Sequence, residues 1–276
     1  MICAALGTIR FGVTSTRGLN LHVPDEMNRM FAVKWLYPVV DLRTVWRGIL
    51  GYLQYWRDWH AYSNIAHSEP LSLRDAYPCL LDRTRTIVFD RHYFYQDIWA
   101  FKAVKASSPP CHVDVGSRAI FVGMLTAITK VTFVDIRPLF ANLENLDSQR
   151  GSILALPFDH NSVFSLSCLH VAEHIGLGRY GDALDPMGTG KATSELARVL
   201  APQGNLYFSI PVGRPRVCFN AHRIHSPQQI LHYFCDLSLV RFAGIDDCGT
   251  YREDIDPNEL AGSSYACGLF HFTKKK

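Results

Sequence analysis

The sequence contains no closely spaced cysteine pairs. Its eight cysteines stand singly along the chain, and no CxxC motif occurs. Zinc sites of the finger type and disulfide frameworks both need cysteines at short, regular spacings, so neither is expected. We interpret the thiols as mostly buried groups in a reducing compartment, which predicts a cytoplasmic protein.

The sequence also has no uninterrupted apolar run of about 20 residues, the length that spans a bilayer. Charged residues interrupt the aromatic-rich stretch 31–59, and Arg10 and Arg17 break the apolar start of the chain, which disfavours a cleaved signal. A net charge of +3 is small, and no basic stripe with interleaved aromatic residues is present. We therefore expect no nucleic-acid partner.

The composition that remains is that of a globular protein, with 48% hydrophobic and 19% charged residues in a chain of 276. Such a chain can bury a sizeable core. Apolar residues at three- and four-residue spacing over 33–62 predict an amphipathic helix, which we expect to pack on the main domain. A helix on a membrane surface, with Arg43, Arg47 and Arg57 toward lipid phosphates, is the less favoured alternative. We expect an N-terminal arm and helical extension over residues 1–105 and the main domain over residues 106–276.

The stretch from Pro110 to Pro138 organises the rest of the chain. An apolar strand precedes a tight turn at Gly116, a short helical run follows, and a second strand ends on Asp135. This is the pattern of a βαβ unit that binds an adenosine-containing ligand. The glycine lets the backbone approach the ligand, and the carboxylate can accept hydrogen bonds from both ribose hydroxyls.

Strands and helices alternate from residue 112 onward, which predicts an α/β fold with a doubly wound, mostly parallel sheet. Between Asp135 and Gln149 we expect a helical segment, followed by a third apolar segment at Ile153 to Leu156. A continuous apolar run at Val163 to Leu169 predicts a parallel strand buried on both faces. The remaining predicted strands lie at 112–115, 131–134, 205–210, 239–243 and 266–273, the helices at 192–200 and 227–234, and a short β-like run at 86–89.

The residues His170, Glu173 and His174 form an HxxEH pattern. In zinc peptidases this pattern places two histidines on one face of a sustained helix, with the glutamate as base. Here it follows directly on a buried strand, and Gly176 and Gly178 arrive within four residues, so a long helix is not expected. We favour a ligand site at the carboxyl end of the fourth strand, with no metal, over a zinc hydrolase.

Four phrases occur in a fixed order, DVGS, VDIRP, ILALPFDHNSVFSLSCLHVAEHI and ELARVLAPQGNLYFSIP. In that order they resemble class I S-adenosylmethionine-dependent methyltransferases over residues 110–273. The phrases HVDVGSR, HVAEHIGLGRYGDALDP and NAHRIHS are similar to domain-of-unknown-function family 268, a methyltransferase-like family often found near polysaccharide biosynthesis genes, over residues 70–230. The resemblance implies a Rossmann-like methyltransferase sheet of the seven-stranded type with an α-helical N-terminal extension.

The resemblance further implies S-adenosyl-L-methionine as the cofactor. By this likeness Arg118 and Ile120 stand where a typical methyltransferase turn has glycines, and Ser152 stands where an acid often flanks the adenine. These departures keep a non-catalytic methyltransferase-fold binding protein as an alternative. From the methionine part of the cofactor to the transfer site, the implied binding residues are Asp114, Gly116, Ser117, Asp135, Ile153 or Leu154, and Cys168.

The acceptor that the resemblance implies is a small polar molecule, most plausibly one with a sugar or glycan hydroxyl. Transfer to a hydroxyl needs alignment and a base for the proton, and histidine is suited to that near neutral pH. Our hypothesis is that His174 or His225 is this base. A nucleic-acid methyltransferase is a weaker alternative. The residues expected to face the acceptor are His170, Glu173, His174, His222, His225, Asp182 and Asp185, with Arg214 and Arg216 as candidates for a phosphate of an activated sugar.

Overall fold

The computed structural model describes residues 41–276. Within them the chain forms two compact units that divide after Val88. The division lies earlier than the predicted boundary at residue 105, because the helix that follows it, Arg91–Ser107, buries Ala100 and Val104 in the core of the second unit.

The first unit contains one helix, α1, at Leu42–Ser63. It confirms the predicted amphipathic helix over these residues, while residues 33–40 of that prediction lie outside the described part of the chain. The β-like run predicted at 86–89 is wrong, because this segment pairs with no described strand and so gains no ladder hydrogen bonds. Among the helices of residues 41–276, none combines the length and apolar character needed to cross a membrane.

The second unit is built on an eight-stranded sheet with the order β3-β2-β1-β4-β5-β10-β8-β9, and β6 and β7 form a separate ribbon. The strands are β1 (Cys111–Val115), β2 (Lys130–Asp135), β3 (Leu146–Arg150), β4 (Val163–Leu169), β5 (Leu200–Val212), β6 (Arg216–Cys218), β7 (His222–Ile224), β8 (Leu237–Ile245), β9 (Tyr251–Glu253) and β10 (Ala266–Lys274). The helices are α2 (Arg91–Ser107), α3 (Ala119–Leu125), α4 (Gly188–Val199) and α5 (Pro227–Tyr233).

Helices cover both faces of this sheet. Strands β1 to β5 run parallel to one another, whereas β10 is antiparallel to both β5 and β8. On one face α2 and α3 share a core with residues of β2, β4 and β5, including Phe133 and Tyr207. On the other face α4 and α5 bury Leu196 and Ile230 in one core with Phe208. Each such fully buried apolar side chain contributes about 1.5–3 kcal/mol. The predicted doubly wound, mostly parallel α/β fold is therefore confirmed.

The helical segment predicted between Asp135 and Gln149 is wrong, and the third strand overlaps its end. Residues 136–145 contain no helix, and β3 lies at Leu146–Arg150, paired in parallel with β2. Its sequence LDSQR is polar because it forms an edge of the sheet and gains its stability from backbone hydrogen bonds. The apolar segment 153–156 is a loop that buries Ile153 and Leu156 beneath the sheet edge. The strands predicted at 112–115, 131–134, 163–169, 205–210, 239–243 and 266–273 and the helices at 192–200 and 227–234 are confirmed with end shifts.

Candidate functional site

A crevice opens where the strand order reverses. The chain leaves β1 for β2 on one side, whereas β4, the other neighbour of β1, leads to β5 on the opposite side. Loops at the carboxyl ends of β1 and β4 therefore diverge and leave room for a ligand, the usual binding position in open α/β sheets. A cleft of about 120 Å³ lies at this position, and a second hollow of about 440 Å³ adjoins it. Six residues line both: Gly116, Asp135, Arg137, His170, His174 and Tyr180.

Gly116 and Asp135 face each other across the cleft. Gly116 follows β1 with φ of +70°, a conformation that glycine adopts without strain. A Cβ atom here would lie 3.1 Å from Val171 Cγ1 and 3.4 Å from Asp135 Oδ2. Asp135 Oδ1 accepts a hydrogen bond of 2.7 Å from the Arg137 amide, while Oδ2 has no hydrogen-bond partner among residues 41–276. A free carboxylate oxygen beside a bare backbone turn fits a ribose and the atoms attached to it.

Asp114 and Ser117 lie behind this surface and fix the turn. Asp114 is fully buried; its Oδ1 accepts from the Ser117 amide at 3.0 Å and its Oδ2 accepts from the Ser167 hydroxyl. Burial raises the pKa of Asp114 to about 6, against the lowering effect of these hydrogen bonds. The Ser117 hydroxyl accepts from the Leu169 amide at 3.1 Å, which ties the end of β1 to the end of β4. Ser117 lines the second hollow, whereas Asp114 lines neither cavity.

The predicted adenine side is also at the cleft. Ile153 and Leu154 line it together with Ser152, whose hydroxyl accepts from the Leu154 amide at 3.2 Å. This makes an apolar wall with a single hydroxyl, suited to a flat heterocycle. Cys168 is fully buried within β4 and does not line the cavities; His170, two residues later, does.

The HxxEH residues form a tight turn and not a sustained helix. Ala172–His174 is a single 3-10 turn, and His170 before it has φ of +56°. Glu173 is fully buried, and its Oε1 lies 2.8 Å from His170 Nδ1. Burial opposes the ionisation of Glu173, but the charge and hydrogen bond of His170 outweigh it and lower its pKa. The geometry therefore differs from a zinc peptidase, because Glu173 is held by His170 away from any water that it would activate.

His174 presents a free ring nitrogen to the cleft. Its Nδ1 lies 2.6 Å from the Ala221 carbonyl oxygen and 3.3 Å from Arg179 Nη1. The shorter contact is to an acceptor, which places the proton on Nδ1 and leaves Nε2 as the acceptor, and Arg179 Nη1 donates instead to the same carbonyl at 3.0 Å. Nε2 lies 3.7 Å from Glu173 Oε1. Burial lowers the pKa of His174, although Glu173 opposes this shift. The imidazole is therefore neutral near pH 7, and the nearby carboxylate stabilises the proton that it would accept.

The other predicted acceptor residues are more scattered. His222, in β7, is half-buried against the Tyr265 ring at 5.0 Å, and burial lowers its pKa. His225 is buried against Tyr233, lies outside the residues that line the cleft, and has a pKa lowered to about 4 by burial. Asp182 lines the cleft, whereas Asp185 pairs with Lys191. Arg214 and Arg216 bond to Ser264 and line neither cavity.

Two residues at the cleft were not singled out from the sequence. The Arg137 guanidinium lies over the Tyr180 ring, 4.4 Å from its centroid, and both line the cleft and the hollow. Arg137 lies in the VDIRP phrase two residues after the ribose acid, and that proximity is a signal that could have identified it. Tyr180 carries no such signal, because it reaches the cleft through the folding of the loop after His174.

Solved structures with similar folds include methyltransferases. NodS, an N-methyltransferase from Bradyrhizobium japonicum WM9, is 14% identical, covers 68% of this chain and 98% of its own, and superposes with a TM-score of 0.50. A putative methyltransferase from Bacillus halodurans C-125 is 12% identical over 65% of this chain and 99% of its own, with a TM-score of 0.46. The NodS likeness, at this identity, is one of fold. The second unit has the Rossmann-like methyltransferase fold that the sequence predicted.

A protein-family model also matches part of the chain. Residues 154–259 match the family described as Caenorhabditis protein of unknown function, DUF268. This match confirms the resemblance over these residues, which include the HxxEH turn and the β6–β7 ribbon. A search of curated protein sequences finds no match.

Proposed function

We propose that this protein is an S-adenosyl-L-methionine-dependent methyltransferase that methylates a hydroxyl group of a small polar acceptor, a sugar or glycan. The observation that carries the proposal is the pairing of Gly116 with the free Oδ2 of Asp135 at the point where the strand order reverses. An adenosine-containing ligand requires, at this point, a turn without side chains that block its approach and a carboxylate oxygen free to accept hydrogen bonds from the ribose.

Different residues around the cleft would bind different parts of the cofactor. Asp135 would accept hydrogen bonds from the ribose hydroxyls, Ile153 and Leu154 would contact the adenine, and Gly116 would let the methionine part approach the backbone. S-adenosyl-L-methionine supplies a methyl group on a sulfonium, which an oxygen nucleophile can take by in-line displacement. Asp114 and Cys168 support this surface from behind, since both are fully buried.

His174 is the base that the geometry favours over His225. Transfer to a hydroxyl oxygen would require that its proton leave, and Nε2 of His174, the free acceptor at the cleft, would take that proton. Glu173, 3.7 Å away, would stabilise the imidazolium that forms. His225 is buried outside the lining of the cleft.

The sugar acceptor rests on the family likeness and on the character of the cleft mouth. Tyr180 is 39% exposed there, with Arg137 over its ring and Arg179 centred 5.1 Å away. The Tyr180 hydroxyl can exchange hydrogen bonds with a sugar, and the two guanidinium groups beside its ring can donate to sugar hydroxyls or to an attached phosphate. These features support the proposal of a glycan or activated-sugar acceptor.

Arg118 and Ile120, which replace two glycines of a typical methyltransferase turn, do not favour a non-catalytic protein. Arg118 has φ of −65° and ψ of 137°, a conformation open to every residue, and its guanidinium lies over the Tyr93 ring. Ile120 is 67% exposed and lines neither cavity. Neither residue therefore blocks the cleft or strains the turn.

Calorimetric titration of S-adenosylhomocysteine into the purified protein tests the cofactor site. We expect binding to the wild type and at least tenfold weaker binding to Asp135→Asn, the loss of about 1.4 kcal/mol expected for one charge-assisted hydrogen bond. Asp147→Asn is the matched control, since Asp147 is an exposed acid on β3 outside the cleft. Absence of binding to the folded wild type would refute the proposed function and favour the non-catalytic alternative.

A further inference from the structure

Three side chains from distant parts of the sequence meet beside the cleft. His92 lies in the first turn of α2, His170 directly follows β4, and Cys267 lies in β10. One ligand atom from each, two imidazole nitrogens and the thiol sulfur, lie within 4.8 Å of one another. His170 Nε2 lies 3.2 Å from Cys267 Sγ. The sheet brings them together, because β4 and β10 are the two neighbours of β5.

These separations suit a tetrahedral metal ion. Zinc binds nitrogen at about 2.0–2.1 Å and thiolate sulfur at about 2.3 Å, so ligand atoms of one tetrahedral site lie roughly 3.3–3.8 Å apart. The distance from His170 Nε2 to Cys267 Sγ, 3.2 Å, is a few tenths of an ångström shorter, so the two groups need to separate only slightly to hold the ion. Small rotations of the His92 side chain would complete the set, since its place in the first helical turn is only half-buried.

His170 is oriented as a metal ligand would be. Its Nδ1 lies 2.8 Å from Oε1 of the fully buried Glu173, which leaves Nε2 directed at Cys267. A carboxylate behind a ligating imidazole fixes the ring and strengthens it as a ligand. The second oxygen of Glu173, Oε2, is buried and without a hydrogen-bond partner among the residues described. When His170 binds the ion as a neutral imidazole, the charge of the divalent ion takes the place of the imidazolium charge beside this buried carboxylate.

His92 has no competing role in the structure. Its ring stacks on His170 at a centroid distance of 5.8 Å and on Tyr265 at 5.1 Å. Within residues 41–276 its ring nitrogens make no hydrogen bond. The stacking therefore leaves both ring nitrogens of His92 available to a metal ion.

We propose that His92, His170 and Cys267 bind Zn²⁺. Imidazole and thiolate groups bind zinc in preference to magnesium or calcium, which prefer oxygen ligands. A set of three protein ligands leaves a fourth coordination position for water or for an oxygen of a substrate. The site differs from the HxxEH zinc pattern, because it uses only His170 of that motif. It does not depend on cofactor binding, although His170 also lines the cleft and would bring the ion next to the transfer site.

The test is titration of Co²⁺, a spectroscopic substitute for Zn²⁺, into the purified full chain after treatment with a chelator. We expect a thiolate-to-cobalt charge-transfer band and tetrahedral d–d bands, both abolished by one equivalent of Zn²⁺. Cys267→Ser should lose the charge-transfer band. His92→Ala should weaken Co²⁺ binding at least tenfold and is the safer variant for folding, because His92 is half-buried at a helix start.

Cys218→Ser is the matched control, since Cys218 is a half-buried thiol in β6 outside the cluster. It should keep the full spectrum. The proposal is refuted if the folded wild type gives no charge-transfer band, which would leave Cys267 as a thiol hydrogen-bonded to His170, or if Cys267→Ser keeps the band. Calorimetry with S-adenosylhomocysteine on the same protein separates the two proposals, because each ligand can bind when the other site is absent.

Discussion

His174 Nδ1 and the Ala221 carbonyl oxygen are 2.6 Å apart, and this contact determines which ring nitrogen of His174 is free. The carbonyl can only accept, so Nδ1 carries the proton and Nε2 is left unprotonated in the neutral ring. The β6–β7 ribbon that contains Ala221 thereby sets the tautomer of a residue at the cleft.

Replacing His174 by asparagine should separate catalysis from binding. Asparagine retains an N–H donor for Ala221 but has no basic nitrogen in place of Nε2. We expect methyl transfer to fall by about 10²-fold or more, the usual contribution of a general base, while S-adenosylhomocysteine affinity stays within about twofold. Radiolabelled transfer to a panel of nucleotide sugars and calorimetry measure the two quantities. The control is His232→Asn, at an exposed position on α5; an equal loss of transfer in both variants would contradict the assignment.

The pH dependence of transfer should identify the same group. Burial lowers the pKa of His174 below its ordinary 6.5, so the neutral base predominates at pH 7. The rate should then be constant near neutrality and fall as the pH drops through this lowered pKa, because protonation removes the acceptor. The residual activity of His174→Asn should not show this fall in rate at low pH. If the wild-type rate instead falls with a midpoint above pH 6.5, another group is the base.

Gly116→Ala should damage both the fold and the cofactor site. Alanine is strained at φ of +70°, and its Cβ would lie 3.1 Å and 3.2 Å from the two methyl groups of Val171. We expect a loss of about 1–3 kcal/mol of unfolding free energy and at least tenfold weaker S-adenosylhomocysteine binding. Urea unfolding and calorimetry measure these effects.

The matched control for that variant is Gly123→Ala. Gly123 lies inside α3, and a Cβ there would meet no atom within 4 Å. We expect it to stabilise the protein by about 0.5–1 kcal/mol, because alanine is the better helix former. If both alanine variants bind S-adenosylhomocysteine as the wild type does, Gly116 does not adjoin the cofactor.

Asp114→Asn should change how stability depends on pH. Burial raises the pKa of Asp114 from 3.8 to about 6, so the folded state binds the proton more tightly than the unfolded chain. The wild type then loses stability from this group as the pH rises from 3.8 to 6, by about 3 kcal/mol at 1.36 kcal/mol per pKa unit. Asparagine removes this loss.

Urea unfolding between pH 4 and 7.5 measures the effect of Asp114→Asn as a difference from the wild type. The difference should shift in favour of the variant as the pH rises through this window. Buried histidines such as His112, whose pKa burial lowers to about 3, contribute the opposite slope to both proteins and cancel in the difference. A pH-independent difference would show that Asp114 is already ionised with an ordinary pKa.

Arg223→Lys should loosen the loop that carries Tyr180. The buried Arg223 guanidinium donates to the Ile175 carbonyl and, at 2.9 Å, to the Asp185 carbonyl, which closes the two ends of this loop. A lysine ammonium cannot span both oxygens. We expect a loss of about 1.5–3 kcal/mol, the value of a hydrogen bond from a charged group, and faster proteolysis within residues 176–188. The control is Arg252→Lys, in an exposed ion pair with Glu259, which should change neither the unfolding free energy nor the rate of proteolysis. Equal proteolysis of both variants would contradict the role of Arg223 in closing the loop.

The sequence was informative where burial and local chemistry coincide. The strands β1, β2, β4 and β5 are apolar because both of their faces are covered, and periodicity therefore identified them. Gly116 and Asp135 could be assigned together because the turn and the strand end that place them lie within one βαβ unit. Hydrophobic periodicity did not identify the edge strand β3, because its side chains are polar and its stability comes from backbone pairing with β2.

The sequence by itself determined the buried strands β1, β2, β4 and β5, the turn at Gly116 and the acid at Asp135, because each depends on neighbours within a few tens of residues. Only the tertiary structure decided which histidine has a free nitrogen at the cleft and that His92, His170 and Cys267 meet. His170 directly follows β4 and Cys267 lies in β10, two strands that are distant along the chain and that both neighbour β5. Contacts of this kind depend on strand order and register, which single-sequence patterns of hydrophobicity do not encode.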